Sequence, residues 1–194
     1  MSRFVSNDES GYLKVILGCM FSGKTSELIK EYRKWNSCGF GCLMINHISD
    51  KRYSDSEEKT FSHDGIAVNS INVGNKLFEF FKKDSFISRY DVILINEGQF
   101  FEDLYCFTDH IVNNLNKKVF VCGLDGDFKR KKFGPLLDII PLCDDLVKLN
   151  AICGRCKMNS GIFTHRLTYE TEQTVIGSDN YIPLCRKCYN YLNV

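Results

Sequence analysis

Short unbroken apolar runs, each closed by a glycine or polar break and followed by residues at helical spacing, recur through the first 150 positions. Tyr12-Leu13-Lys14-Val15-Ile16-Leu17, Gly41-Cys42-Leu43-Met44-Ile45-Asn46, Asp91-Val92-Ile93-Leu94-Ile95 and Lys118-Val119-Phe120-Val121-Cys122-Gly123 read as strands. Continuous runs of this kind belong to strands buried on both faces. Helical patterns open at Ser26, recur weakly from Asn75 to Lys83 around Leu77, Phe78, Phe80 and Phe81, and run from Glu102 to Asn116. The alternation predicts an α/β fold with a mostly parallel sheet covered by helices. Residues 50–65 are polar and rich in turn formers and are expected to form a mobile loop near the site. Composition shifts near residue 150, which divides the chain into a short arm (1–11), a core (12–150) and a small C-terminal lobe (151–194).

The first apolar run ends in Gly18-Cys19-Met20-Phe21-Ser22-Gly23-Lys24-Thr25, a full G-x-x-x-x-G-K-[ST] phosphate-binding loop between a strand and a helix. The glycines let backbone N–H groups turn inward on anionic oxygens. The lysine reaches the β- and γ-phosphates, and the threonine hydroxyl can sit on magnesium. The start of the following helix adds its positive dipole end.

Ten cysteines would suggest disulfides in a secreted chain, but only four are clustered. Cys153-Gly154-Arg155-Cys156 and Cys185-Arg186-Lys187-Cys188 form two C-x2-C knuckles separated by 28 residues. Two knuckles make a tetrahedral four-thiolate site suited to structural zinc. Two disulfides or a redox C-x-x-C are the competing readings. A reduced cytoplasmic chain is expected from this usage and from an N-terminus without an apolar leader. No apolar run has the length of a membrane span. The formal net charge of +1 gives no electrostatic footprint for nucleic acid.

In a phosphate-loop sheet, a neighbouring strand usually ends in an acidic residue. Here that strand ends Ile95-Asn96-Glu97-Gly98-Gln99-Phe100-Phe101, so Glu97 is the candidate base for a hydroxyl nucleophile. Phe100, Phe101, Phe128, Phe133 and Tyr181 are candidate faces for a flat heterocycle.

Taken together, these motifs resemble the type II thymidine kinases, the cytosolic kind that includes the poxviral enzymes. The resemblance runs from Tyr12 to Tyr189. It rests on the loop at 18–25, Asp-x-Arg-Tyr at 50–53, Ser-His-Asp at 62–64, and Glu-Gly-Gln-Phe-Phe at 97–101. Leu-Asp-Gly-Asp-Phe-Lys-Arg-Lys at 124–131 and both knuckles complete it. It implies a RecA-like core with a zinc lobe that carries a lasso loop. ATP would bind Gly18, Cys19, Met20, Phe21, Ser22, Gly23, Lys24 and Thr25, with Asn96 and Gln99 nearby and magnesium on Thr25. Glu97 would take the proton of the thymidine 5′-hydroxyl while Lys24 and Arg52 supply charge. Met20, Phe101, Leu124, Phe128, Phe133, Thr164 and Tyr181 would border the base. The lasso would comprise Val175, Ile176, Gly177, Ser178 and Asp179 up to Tyr181. The resemblance also implies a homotetramer inhibited by the end product dTTP.

Two positions depart from that pattern. Asn96 stands where the family has aspartate, keeping an oxygen acceptor but losing a charge; weaker magnesium binding and slower turnover are expected. Cys19, often proline in the family, admits two readings. One is an activated, oxidisable thiol at the loop mouth, and the other is a buried thiol packed behind it. The rival functions are a deoxynucleoside kinase of broader base tolerance, a nucleotide-binding protein with little catalysis, and a zinc-ribbon nucleic-acid binder.

Overall fold

A computed structural model describes residues 10–49, 59–61, 65–81, 84–175 and 177–193. The central element is a six-stranded sheet in which all pairings are parallel. Its strands are β1 (Tyr12–Gly18), β2 (Cys42–His47), β5 (Ile71–Val73), β6 (Val92–Ile95), β7 (Lys118–Leu124) and β8 (Asp145–Leu149), in the order β5-β2-β6-β7-β1-β8. Strands β3 (Lys59–Phe61) and β4 (Ala67–Asn69) form a separate antiparallel pair. Helices α1 (Lys24–Ser37), α2 (Leu77–Phe80), α3 (Asp84–Ile87) and α4 (Leu104–Asp109) complete the core. The helix expected over 102–116 is thus shorter than its pattern and continues as a wider π turn, His110–Asn114.

Both faces of the sheet are covered, which is why its strands carry unbroken apolar runs. Side chains alternate across a strand. Leu13, Val15 and Leu17 of β1 accordingly join Ile93, Ile95, Val119 and Val121 in one cluster, closed by Phe107 of α4. Ile16 faces the other way, with Leu94, Phe120 and Cys122, against Leu28 and Ile29 of α1. Each such side chain contributes about 1.5–3 kcal/mol by leaving water, so the sheet holds its register firmly. On the α1 face, Lys14 is compensated by Glu31 at 3.0 Å.

The register determines where chemistry can sit. Gly18 at the end of β1 lies beside Leu124 of β7 and Leu149 of β8, and Ile95 of β6 lies beside Val121. The carboxyl ends of β1, β6 and β7 therefore open on one edge, where ligands bind in such sheets.

Asn150 alone separates β8 from β9 (Ala151–Ile152), which pairs with β10 (Ser160–Gly161). A second hairpin joins β11 (Phe163–Arg166) to β12 (Tyr181–Leu184), and α5 (Arg186–Leu192) follows. Leu184, Tyr189 and the cysteines form a third apolar cluster. Among the described residues, no helix is long and apolar enough to cross a membrane.

Candidate active site

The loop between β1 and α1 has the shape its glycines predict. Gly23 holds φ 84° at the turn into the helix, where a side chain would be strained. A Cβ on Gly18 would come within 2.5 Å of the Leu149 carbonyl. The first helical N–H groups have no intrahelical partner, and among the described residues no side chain caps α1. An anion is the natural acceptor for them. Two donors already converge on the Cys19 carbonyl, Lys24 Nζ at 2.7 Å and Ser22 Oγ at 2.8 Å. Lys24 is thus folded back onto its own loop and only 8% exposed.

Beside the loop lies a cavity of about 320 Å³. Met20, Phe21, Gly23, Lys24 and Thr25 line it together with Glu97 and Gln99. Leu124, Phe128, Phe133 and Thr164 add to the wall, as do Val175, Gly177, Asp179 and Tyr181. Charged phosphate-loop groups and a largely apolar aromatic recess therefore share one space.

Glu97 follows β6 with φ 54°, a left-handed conformation uncommon outside glycine and a form of stored strain at a site. Gln99 holds its carboxylate: Nε2 donates to Glu97 Oε2 at 2.6 Å while Oε1 accepts from the Leu124 N–H at 3.1 Å. Gly123 makes room for this, since a Cβ there would lie 2.3 Å from Gln99 Oε1. Gln99, expected among the nucleotide contacts, is 3% exposed and spans from the candidate base to β7.

Asn96 is fully buried. Its Nδ2 donates to Asn46 Oδ1 at 2.9 Å, and its Oδ1 accepts from Cys122 Sγ at 3.1 Å and Thr25 Oγ1 at 3.4 Å. The oxygen therefore meets the hydroxyl of the threonine expected on magnesium, so Asn96 bears on that position through Thr25.

Cys19 is 1% exposed. Its thiol donates to the Gly161 carbonyl at 3.2 Å, and burial raises its pKa. The buried, packed reading holds, and the activated-thiol reading does not. The adjacent Met20 N–H donates to Thr164 Oγ1 at 3.1 Å, so two successive residues of the phosphate loop rest on β10 and β11 of the C-terminal lobe.

That lobe ends in a tight cluster. The sulfurs of Cys153, Cys156, Cys185 and Cys188 all lie within 4.8 Å of one another, with Cys156 and Cys185 4.0 Å apart. Burial opposes ionisation of Cys153, but the N–H groups of Cys156, Cys185 and Arg155 outweigh it and bring its pKa to about 6. Cys188 is pushed up to about 12 by burial and its three thiol neighbours. Four thiolates this close need a cation between them, and the spacing suits a metal such as zinc.

Some expected residues lie elsewhere. The Phe101 ring is fully buried in the core, edge-on to His47, while Phe100 lines the cavity. Gly18, Cys19, Ser22 and Asn96 stand behind the cavity wall. Asp50, Arg52, Tyr53, the Ser62-His63-Asp64 segment and Ile176 fall outside the described residues, as does the side chain of Ser178. The sequence reading gave no role to Asp127 or Gln173. Both line the cavity, and Gln173 Nε2 donates to Asp127 Oδ2 at 2.9 Å. Asp127 belongs to the Leu-Asp-Gly-Asp-Phe-Lys-Arg-Lys stretch at 124–131, whereas Gln173 lies in no motif.

Comparison with known proteins agrees with this geometry. A family model described as thymidine kinase matches residues 11–189. The chain is 39% identical over 188 residues to the thymidine kinase of Yaba monkey tumor virus, covering 96% of this chain and 99% of the relative. It is 36% identical over 180 residues to that of Sheeppox virus, covering 92% and 97%. It is 37% identical over 184 residues to thymidine kinase 1 of Dictyostelium discoideum, covering 93% and 78%. A match across nearly the whole chain, joined to a phosphate loop and a held carboxylate in one cavity, shows that the chain belongs to the thymidine kinase family.

Proposed function

We propose that this chain transfers the γ-phosphoryl group of ATP to the 5′-hydroxyl of deoxythymidine, giving dTMP and ADP. The observation that carries the reading is the single cavity lined at once by Lys24 and Thr25, by Glu97, and by Phe128, Phe133 and Tyr181.

Phosphoryl transfer is chiefly positioning and charge stabilisation. Lys24 exchanges the Cys19 carbonyl for phosphate oxygens, trading a neutral acceptor for a charged one. Glu97, oriented by Gln99, accepts the hydroxyl proton as that oxygen attacks phosphorus. The bond to the β-phosphate oxygen breaks, and ADP leaves with its electron pair. Arg52 adds a cation in this scheme. Magnesium bound with ATP would offset the charge of the phosphates, and Thr25, with Asn96 behind it at 3.4 Å, would be the residues that serve it. The four cysteines would hold a structural metal such as zinc, which would steady the hairpin of β11 and β12 from which the segment from Val175 to Tyr181 leaves. Inhibition by dTTP fits the same cavity, because that molecule carries both a thymine and a triphosphate. A homotetramer working in the cytoplasm completes the reading.

The test is ADP release from magnesium-ATP with and without thymidine, for native protein and Glu97→Gln side by side. Thymidine-dependent release that disappears in the variant supports the kinase. ATP binding without thymidine-dependent release from native protein would instead favour a nucleotide-binding role with little catalysis.

A further inference from the structure

Arg166, the last residue of β11, is 4% exposed, and among the described residues the exposed Glu170 carboxylate feels its charge without forming an ion pair at contact distance. A buried guanidinium cannot shed its charge, so something else must compensate it. Here the compensation is a loop. Nη1 donates to the carbonyls of Glu170, at 2.9 Å, and Glu172. Nη2 donates to the Gln173 carbonyl at 3.0 Å and to the Tyr181 hydroxyl at 2.8 Å. That hydroxyl in turn donates to the Val175 carbonyl at 3.0 Å. The guanidinium carbon lies 3.7 Å from the centre of the Phe128 ring. Phe128, Gln173, Val175 and Tyr181 all line the cavity, and Arg166 stands behind them.

We propose that Arg166 is the positioning residue of the base-binding side of the cavity: it gathers the main-chain carbonyls of Glu170, Glu172 and Gln173, fixes the Tyr181 hydroxyl and backs the Phe128 ring, so the recess exists in bindable form before the nucleoside arrives. This rests on the reading of the chain as a nucleoside kinase. Among the described residues no strand or helix lies between Arg166 and the turn at Ser178–Asn180, so without the guanidinium the carbonyls of Glu170, Glu172 and Gln173 would turn to water and the loop would keep only side-chain ties such as those through Lys129 and Gln173. A guanidinium suits the task because its planar fork serves several acceptors while its face stacks on a ring. An ammonium offers three donors from one point and cannot do both.

The experiment compares native protein with Arg166→Lys and with Tyr181→Phe, which keeps the ring and removes only the bridging hydroxyl. Steady-state kinetics give KM for thymidine and ATP separately. Digestion with a glutamate-specific protease, mapped by mass spectrometry, reports cleavage after Glu170 and Glu172. Zinc content and melting temperature report the rest of the fold. Arg166→Lys should raise KM for thymidine about tenfold or more, because truncating a positioning contact removes binding on the base side alone. KM for ATP should stay within about twofold, with zinc content held. Cleavage after Glu170 and Glu172 should accelerate, and Tyr181→Phe should show the same split to a smaller degree. Unchanged thymidine KM and cleavage in both variants would overturn the proposal. So would parallel loss of ATP binding, zinc and melting temperature, which would mark a merely structural arginine. The cleavage comparison needs no substrate, so it stands even if the native protein shows no thymidine-dependent ADP release.

Discussion

The Gln99 amide is bonded on one side to the Glu97 carboxylate, at 2.6 Å, and on the other to the backbone N–H of Leu124, at 3.1 Å. A strained strand-end glutamate is thereby tied to the neighbouring strand. Gln99→Glu keeps the shape and the acceptor for Leu124 but sets two carboxylates against each other. Like charges at that distance cannot both ionise freely, so the pKa of the pair rises. The base is then protonated at neutral pH, and kcat at pH 7 should fall roughly ten- to a hundredfold. The sign follows: the acid limb of the kcat–pH profile moves upward and activity returns as pH climbs. A uniform loss at all pH values would show that Gln99 does not act through Glu97.

Asn96→Asp restores a charge to a fully buried position whose oxygen faces Thr25. It also removes the amide donor to Asn46, a loss of about 1 kcal/mol unless Asn46 turns its own amide inward. The variant should melt lower than native protein without magnesium, recover with magnesium-ATP, and turn over faster. Calorimetry and a magnesium titration of kcat check this. A rate no higher at any magnesium concentration would show that the neutral amide is not what limits the metal site.

Removal of metal from the four cysteines should weaken ATP as well as nucleoside. Gly161 and Thr164 of the cysteine lobe hold Cys19 and Met20 of the phosphate loop. Chelation should therefore raise the Kd of a fluorescent ATP analogue severalfold, the scale expected for one or two lost hydrogen bonds. Thr164→Val should move it in the same direction with zinc still bound. ATP affinity unaffected by both treatments would mean that the loop holds its shape alone.

Thiol labelling should sort the cysteines by surroundings. Cys38 and Cys106 are exposed, whereas Cys19 and Cys122 are buried and the pKa of Cys42 is raised to about 11, first by desolvation and then by Asp91. Brief iodoacetamide treatment of zinc-loaded protein at pH 8 should modify Cys38 and Cys106 first and leave Cys19 intact. Early modification of Cys19, seen by peptide mass spectrometry, would show that the loop opens readily.

Much of this was legible along the chain because it rests on local rules. Buried parallel strands write themselves as apolar runs, and the phosphate loop and cysteine knuckles have fixed spacings. Strand β8 was missed because it is an edge strand: Asp145-Leu146-Val147-Lys148-Leu149 is only half buried, and its pattern is broken by charge. The adjacent Phe100 and Phe101 could not be told apart in sequence. A 3-10 turn from Gly98 to Phe100, entered through the left-handed Glu97, decides which ring faces the cavity. Arg166 left no trace, since three of its four acceptors are backbone atoms four to seven residues on, which carry no residue-type signal, and the fourth is the hydroxyl of a tyrosine read only as a ring.

The same fact bears on how this segment can evolve. A guanidinium that grips main-chain oxygens makes no hydrogen bond that depends on the side chains of those residues, and the side chains of Glu170, Thr171 and Glu172 are exposed. Substitution there is cheap. One inserted or deleted residue, by contrast, would swing the carbonyls out of reach of a donor fixed at the end of β11. The stretch is permissive in spelling and strict in length, and gaps rather than mismatches are where a relative with a different nucleoside preference should first diverge.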